Sequence, residues 1–345
     1  MGKQDKINLI TSKVINALNY YFIKLRVENR AKEKDITWIT VKGNHIPIVK
    51  GKGSTGEQIN EFFKNRKTEG TYEHTLEKIK ESNQKSYSID EVLDAVFKDE
   101  SLEAIKGKTK EEVIKKIKFA EKYNKNVITT DALYREKDGT YGIGREPLHE
   151  EILDNIFKNS KDAKPEKGQK PKFIMLGGRG GSGKSKFKGM VYNDKNFIVL
   201  DADEIKKSIP EYRGYNAFEV HEESSHILKE AIKLAQKQGL NVVLDGTMKS
   251  HKSSEKQLDS FKDAGYDIEM YYMHLPREIS TRRAIDRFMS GDNGRYVPID
   301  VLLGMKDNEQ NFDDLKKYAS KWAFFDNSKA KKGEDPKLTK KSDNF

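Results

Sequence analysis

The chain has 345 residues, enough for two domains of ordinary size, and its 35% hydrophobic and 35% charged residues describe a protein with a hydrophilic surface. It contains no cysteine, which excludes disulfides, thiolate zinc sites and a cysteine nucleophile. The net charge of +10 comes from lysines spread along the chain, without a basic run interleaved with aromatics. A solvated lysine-rich surface accounts for this charge, attraction to a phosphorylated ligand is the sharper alternative, and nucleic-acid binding is not indicated.

The apolar runs are far shorter than the roughly 18 residues that span a bilayer. The opening "MGKQDKINLITSKVINALNYYFIKL" is charged too early and too often for a signal peptide, and Lys6 stands where a myristoylation start needs Ser or Thr. A cytoplasmic protein with no membrane partner is expected.

In chain order, residues 6–30 carry the period of one amphipathic helix. "TWITVKGNHIPIV" (37–49) reads as two short strands around Lys42-Gly43-Asn44. Ser54 and Glu57 form a capping box that opens a helix at "EQINEFFKNR". Charged helical stretches such as "TKEEVIKKIKFAEKY" follow, and residues 1–140 assemble no catalytic set, so they read as an accessory region. "NSKDAKPEKGQKPK" (159–172) has no large apolar residue and reads as an exposed linker. Beyond it, short apolar strands at 173–176, 197–200, 241–244, 268–275 and 322–325 alternate with helical stretches at 218–238, 251–264, 277–289 and 298–320. Strands apolar throughout and separated by helices predict an α/β fold with a mostly parallel sheet covered on both faces. A mainly helical region with a small β hairpin precedes it. The domain is expected over 145–330, and the lysine-rich residues 331–345 read as a disordered tail.

"GGRGGSGKS" (177–185) follows the first of these strands. From Gly178 it fits G-x-x-x-x-G-K-[ST] at every position, and strand, spacing, Lys and Ser agree. Gly178, Gly180, Gly181, Ser182 and Gly183 let the backbone curl around a phosphate chain, with Lys184 reaching the β- and γ-phosphates and the Ser185 hydroxyl holding Mg²⁺. ATP is the expected nucleotide. No N-K-x-D follows a later strand, which argues against a GTPase. The compact domain suits a small-molecule kinase.

The second strand ends in "LDADEIK", which sets Asp201 and Asp203 at the sheet's C-terminal edge. A carboxylate there can take the proton of an attacking hydroxyl or hold a metal, while helix capping is the structural alternative. The third strand ends in "LDGT": Asp245 suits a Mg²⁺ ligand and Thr247 a substrate contact. "REISTRRAIDRFMSGDNGRYVP" carries Arg283 and Arg287 on one helical face and Arg295 beyond a turn, positioned to stabilise a transferring phosphoryl group. The histidines show no metal spacing.

With these residues in place, the second half resembles the zeta-toxin family of P-loop kinases, from about Arg145 to Ser328. The resemblance rests on the ordered set "GGRGGSGKS", "LDADEIK", "HEESSHILKEA", "NVVLDGT" and "AIDRF" with "RYVP" beyond it. It implies transfer of phosphate from ATP to the 3′-hydroxyl of UDP-N-acetylglucosamine, with Asp203 as base, Lys184, Arg287 and Arg295 on the moving phosphoryl, and Thr247 on the substrate. Glu222, Glu223 and Glu230 compete for the family's substrate-binding glutamate, and Asp201 and Arg283 join the substrate contacts. The chain departs from the family at Gly180, where a proline is common, and in the short arginine loop. A small helical antitoxin is the implied partner. "WITVKGNHIPIVKGKGSTGEQINEFF" resembles a module of phage head-morphogenesis proteins, which implies phage head partners and virion association. A kinase acting on another hydroxyl, such as a polynucleotide 5′ end, and a phage structural protein with a vestigial nucleotide site are the alternatives.

Overall fold

A computed structural model describes residues 36–41, 44–49, 53–58, 88–136, 138–142, 145–184, 196–291, 294–329 and 335–345. The chain divides into two compact units, Met1–Thr68 with Ala132–Pro147, and Glu69–Asp131 with Leu148–Phe345. The larger unit takes in residues 69–131 as well as the chain from Leu148 onward.

In the first unit, strands β1 (Ile36–Val41) and β2 (Asn44–Val49) pair antiparallel from Ile36↔Val49 to Val41↔Asn44, the hairpin its alternation predicts. Ser54 and Glu57 make the expected reciprocal capping bonds. The helix expected over 6–30 lies outside the described residues.

The second unit opens with α1 (Ile89–Phe97), capped by Ser88, and α2 (Lys110–Asn126), capped by a Thr109–Glu112 box. The short helix α3 (Thr130–Tyr134) and α4 (Arg145–Phe157) follow in the chain. Next comes a six-stranded sheet of β3 (Lys172–Gly177), β4 (Ile198–Asp201), β5 (Val242–Asp245), β6 (Asp267–His274), β7 (Lys321–Asp326) and β8 (Lys337–Lys341). Its order is β4-β5-β3-β6-β7-β8, parallel throughout except for β8, which runs antiparallel to β7. β3 thus sits mid-sheet, and the loop leaving it opens at the sheet's C-terminal edge, where parallel α/β sheets bind ligands.

Side-chain alternation sends Phe173 and Met175 to one face and Ile174 and Leu176 to the other. The first face packs against α6 (His221–Gln238), α7 (His251–Asp263) and α10 (Asn308–Leu315) through Ala231, Ala235, Leu258, Phe261 and Phe312, with the Phe173 and Phe261 rings stacked at 3.7 Å. α6 stops where expected, because Gly239 takes the left-handed conformation at φ 60°. α5 (Ala202–Ser208) follows β4, and α8 (Arg277–Met289) follows β6.

Three expectations are corrected. The stretch 298–320 is not one helix but α9 (Ile299–Gly304), α10 and a 3₁₀ turn at Lys316–Tyr318, because the Met305 carbonyl leaves the helical ladder to accept from Arg179. The linker is partly docked: Ala163 is buried, and its carbonyl accepts from Asn241 N at 2.7 Å. The tail expected to be disordered contributes β8. Its side chains are all exposed, so backbone pairing holds the strand, helped by Ser342 Oγ accepting from Trp322 N at 3.1 Å and by Phe345 packing on Tyr271 and Phe325. Lysine-rich composition does not register a strand of this kind, and lysine is what shields a sheet edge from further pairing.

Candidate active site at the end of the parallel strands

The loop after β3 is shaped by where its carbonyls go. Gly178 O accepts from Lys184 Nζ at 2.5 Å, Arg179 O from Ser182 N at 3.2 Å, Gly180 O from Ser280 Oγ at 2.7 Å, Gly181 O from Arg283 Nη1 at 2.9 Å and Ser182 O from Asn327 Nδ2 at 2.7 Å. In a trans peptide the N–H points opposite to the carbonyl. The amides of Gly181 and Gly183, whose units send their carbonyls to Ser280 and Asn327, are thereby turned away from those anchors, as an anion cradle requires. Glycine is obligatory at Gly178: φ is +139°, and a Cβ there would lie 2.5 Å from Met273 O.

Arg179 anchors the loop from beneath. Its side chain is 4% exposed and bonds to Met305 O, Leu275 O and both carboxylate oxygens of Glu309. Burial opposes ionisation of Glu309, but bonds from His274 and Arg179 outweigh it and bring its pKa to about 2. Lys184 Nζ also lies 3.8 Å from Asp245 Oδ1, at the end of β5. Ser185 is outside the described residues.

Across from the loop, Asp203 in the first turn of α5 is gripped by Arg295 Nη1 and by Lys206 Nζ at 3.3 Å. Burial disfavours its charge, but Arg295, Lys206 and Arg287 overcome that and hold the carboxyl below the usual range. Arg287 connects this acid to the loop: its Nη2 is 3.6 Å from where a Cβ on Gly180 would sit. Among the described residues, the buried Nε of Arg287 and the buried Nε of Arg295 have no hydrogen-bond partner.

The remaining expected residues divide. Asp201 caps α5, its Oδ1 accepting from Asp203 N at 2.8 Å. Arg283, expected on the substrate, donates through Nη1 to the loop at Gly181 O. Of the three candidate glutamates, Glu223 is fully buried against His149 Nε2 at 2.8 Å and Glu230 pairs with Lys233. Glu222 stays exposed in the first turn of α6. Thr247 sits on a loop fixed by α10: Asn308 Nδ2 donates to Thr247 O at 2.6 Å and Asn311 Nδ2 to Met248 O at 2.8 Å. Met248, with φ 55°, is the one non-glycine with positive φ among the described residues. Such strain is held by surrounding packing, here the close approach of its Sδ to Gly177.

Sequence reasoning missed Arg179, Lys206, His221 and Asn327. Lys206 was detectable, three residues beyond Asp203 on one helix. His221, the first residue of α6, is brought to the site by the fold: burial, then the charges of Lys206, Lys249 and Arg295, lower its pKa to about 3 and keep the ring neutral. Nothing local marks Asn327.

A parallel sheet with a glycine loop at its central strand, facing an acid held among arginines, defines a P-loop nucleotide-binding fold of kinase type. The zeta toxin family matches residues 154–327, half of the chain, and the chain belongs to that family. It is 26% identical over 129 residues to Toxin zeta of Streptococcus pyogenes and 27% identical over 130 residues to Toxin zeta of Enterococcus hirae. Each match covers 35% of this chain and 45% of the relative, so the chain spans about half the length of the curated relatives it matches. A structure from the PezAT chromosomal toxin–antitoxin system of Streptococcus pneumoniae overlays with a TM-score of 0.45 at 17% identity, covering 58% of this chain and 83% of that one.

Proposed function

We propose that the protein is an ATP-dependent phosphotransferase of zeta-toxin type that phosphorylates the 3′-hydroxyl of UDP-N-acetylglucosamine. The observation that carries this reading is the chain of charge from Gly180 through Arg287 to Asp203 and Arg295, which joins the nucleotide loop to an acid kept ionised. In this reading the ATP phosphates lie in the Gly178–Lys184 loop. Asp203 accepts the proton of the acceptor hydroxyl, whose oxygen forms a bond to the γ-phosphorus as the β–γ bridging bond breaks and ADP leaves. Arg287 and Arg295 stabilise the charge spread over the moving group. An aspartate beside a phosphate loop is the donor set Mg²⁺ favours, and Asp245 with Ser185 would hold the ion, which neutralises phosphate charge.

Glu222 and Thr247 border the acceptor. A small helical antitoxin fits a toxin of this family, and a cytoplasmic site of action fits the substrate. Among the described residues no helix is long and apolar enough to cross a membrane. The resemblance of residues 38–63 to a phage head-morphogenesis module adds a phage origin to the proposal.

The test is transfer from Mg-ATP to UDP-N-acetylglucosamine with the product identified by mass, beside Lys184→Ala and Asp203→Ala. Product from the wild type alone is expected. ATP consumption with no phosphorylated sugar nucleotide overturns the acceptor, and no ATP binding overturns the kinase reading.

A further inference from the structure

Helix α8 has two working faces. Ser280, Arg283 and Arg287 share the one turned to the nucleotide loop, through Gly180 O, Gly181 O and the space over Gly180. Arg282, Ile285, Asp286 and Met289 share the other, as the helical period dictates. That second face is covered by residues 88–126, which the sequence alone presents as accessory.

The covering is specific. Leu93, Val96, Ile105 and Ile117 form one apolar cluster with Ile285, Phe288 and Met289. Asp286 Oδ1 accepts from two consecutive backbone amides between α1 and α2, Ala104 N at 2.7 Å and Ile105 N at 3.1 Å. Arg282 Nε donates to Asp99 Oδ2 at 2.9 Å. Lys116 Nζ donates to Phe288 O and to Gly291 O, both at 2.9 Å. The last carbonyls of a helix have no partner within it, and a cation there also meets the negative end of the dipole. Gly291 precedes Arg295 by four positions in the chain, so one ammonium holds both a carbonyl at the end of the helix that carries Arg287 and the Gly291 carbonyl just beyond it. Next to Arg295, Tyr296 OH donates to Glu121 Oε1 at 3.3 Å, on the same helix as Lys116.

We infer that residues 88–126 are a built-in brace for α8, and that Lys116 is a positioning residue for Arg287 and Arg295 in phosphoryl transfer. The inference rests on the kinase reading above for its kinetic half and on geometry alone for its structural half. Weakening the brace is expected to lower activity.

The test compares Lys116→Met and Lys116→Arg in the full chain. Misplacing a group that acts on the transition state costs turnover, so Lys116→Met is expected to lower kcat by about tenfold to a hundredfold, with the KM for ATP within about twofold of wild type. Lys116→Arg, which can still donate to both carbonyls, recovers most of the loss. A methionine variant with wild-type kcat overturns the inference, as does an arginine variant no better than methionine. Hydrogen exchange at the Ser290 and Gly291 amides separates this inference from the kinase reading. If the wild type transfers phosphate to no acceptor, the kinase reading fails, yet faster exchange at these amides in Lys116→Met still supports the brace. Unchanged exchange overturns it.

Discussion

Replacing Arg179 by methionine keeps the length of the side chain and removes every donor it supplies. In the folded protein this leaves Met305 O and Leu275 O without their arginine and strips Glu309 of its two-point partner, leaving His274 Nδ1 at 2.7 Å. Removing one member of a buried ion pair costs about 3–5 kcal/mol. Glu309 is 26% exposed and keeps one partner, which sets the expected loss at the lower end, about 3 kcal/mol. In Arg179→Met/Glu309→Gln the orphaned charge is gone as well, so the double variant should be about 2 kcal/mol more stable than the sum of the single losses. Urea unfolding in a Trp38→Phe background measures this, because Trp322 in β7 then reports the larger unit alone. A loss below about 1 kcal/mol for Arg179→Met, or strict additivity in the double variant, would refute the anchor.

Asp203→Asn should lower transfer by about a hundredfold to ten-thousandfold while leaving ATP affinity unchanged, and an unchanged rate removes Asp203 from the role of base. Glu219 offers a pH test. It is 2% exposed, accepts from Tyr123 OH at 2.9 Å and from Asn216 Nδ2 at 2.6 Å, and burial raises its pKa from 4.5 to about 7. Between these values the folded state keeps a proton that the unfolded state has released, so stability falls as pH rises through the window, by at most about 3 kcal/mol. Glu219→Gln should abolish that slope, and urea midpoints at pH 5 and pH 8 that shift in parallel for both proteins count against it.

The parallel sheet and its glycine loop were legible because the physics there is local. A strand buried on both faces must be apolar at every position, and a backbone wrapped round a phosphate must be glycine where φ is positive or a Cβ would strike a carbonyl. Asp203 stands just beyond a strand's end and Arg295 just beyond a helix, and the fold brings the two into an ion pair. Sequence places Asp201 and Arg283 near the loop, and the fold adds what each also holds: Asp201 Oδ1 accepts from Asp203 N and Arg283 Nη1 donates to Gly181 O. The role of residues 88–126 was hidden for a related reason: an apolar stripe on α2 announces that it will be covered, and only the fold shows that α8 covers it. The break in 298–320 depended on Arg179, more than a hundred residues upstream.

The phosphate loop is spoken for by residues made long after it. Its carbonyls wait for Ser280, Arg283 and Asn327, and Arg179 waits for Leu275, Met305 and Glu309. A chain still on the ribosome, with the glycine loop already outside but Asn327 not yet translated, has no means of closing the cradle. The anchors of the loop lie 100 to 145 residues downstream of it, so closure of the cradle trails synthesis of the motif itself.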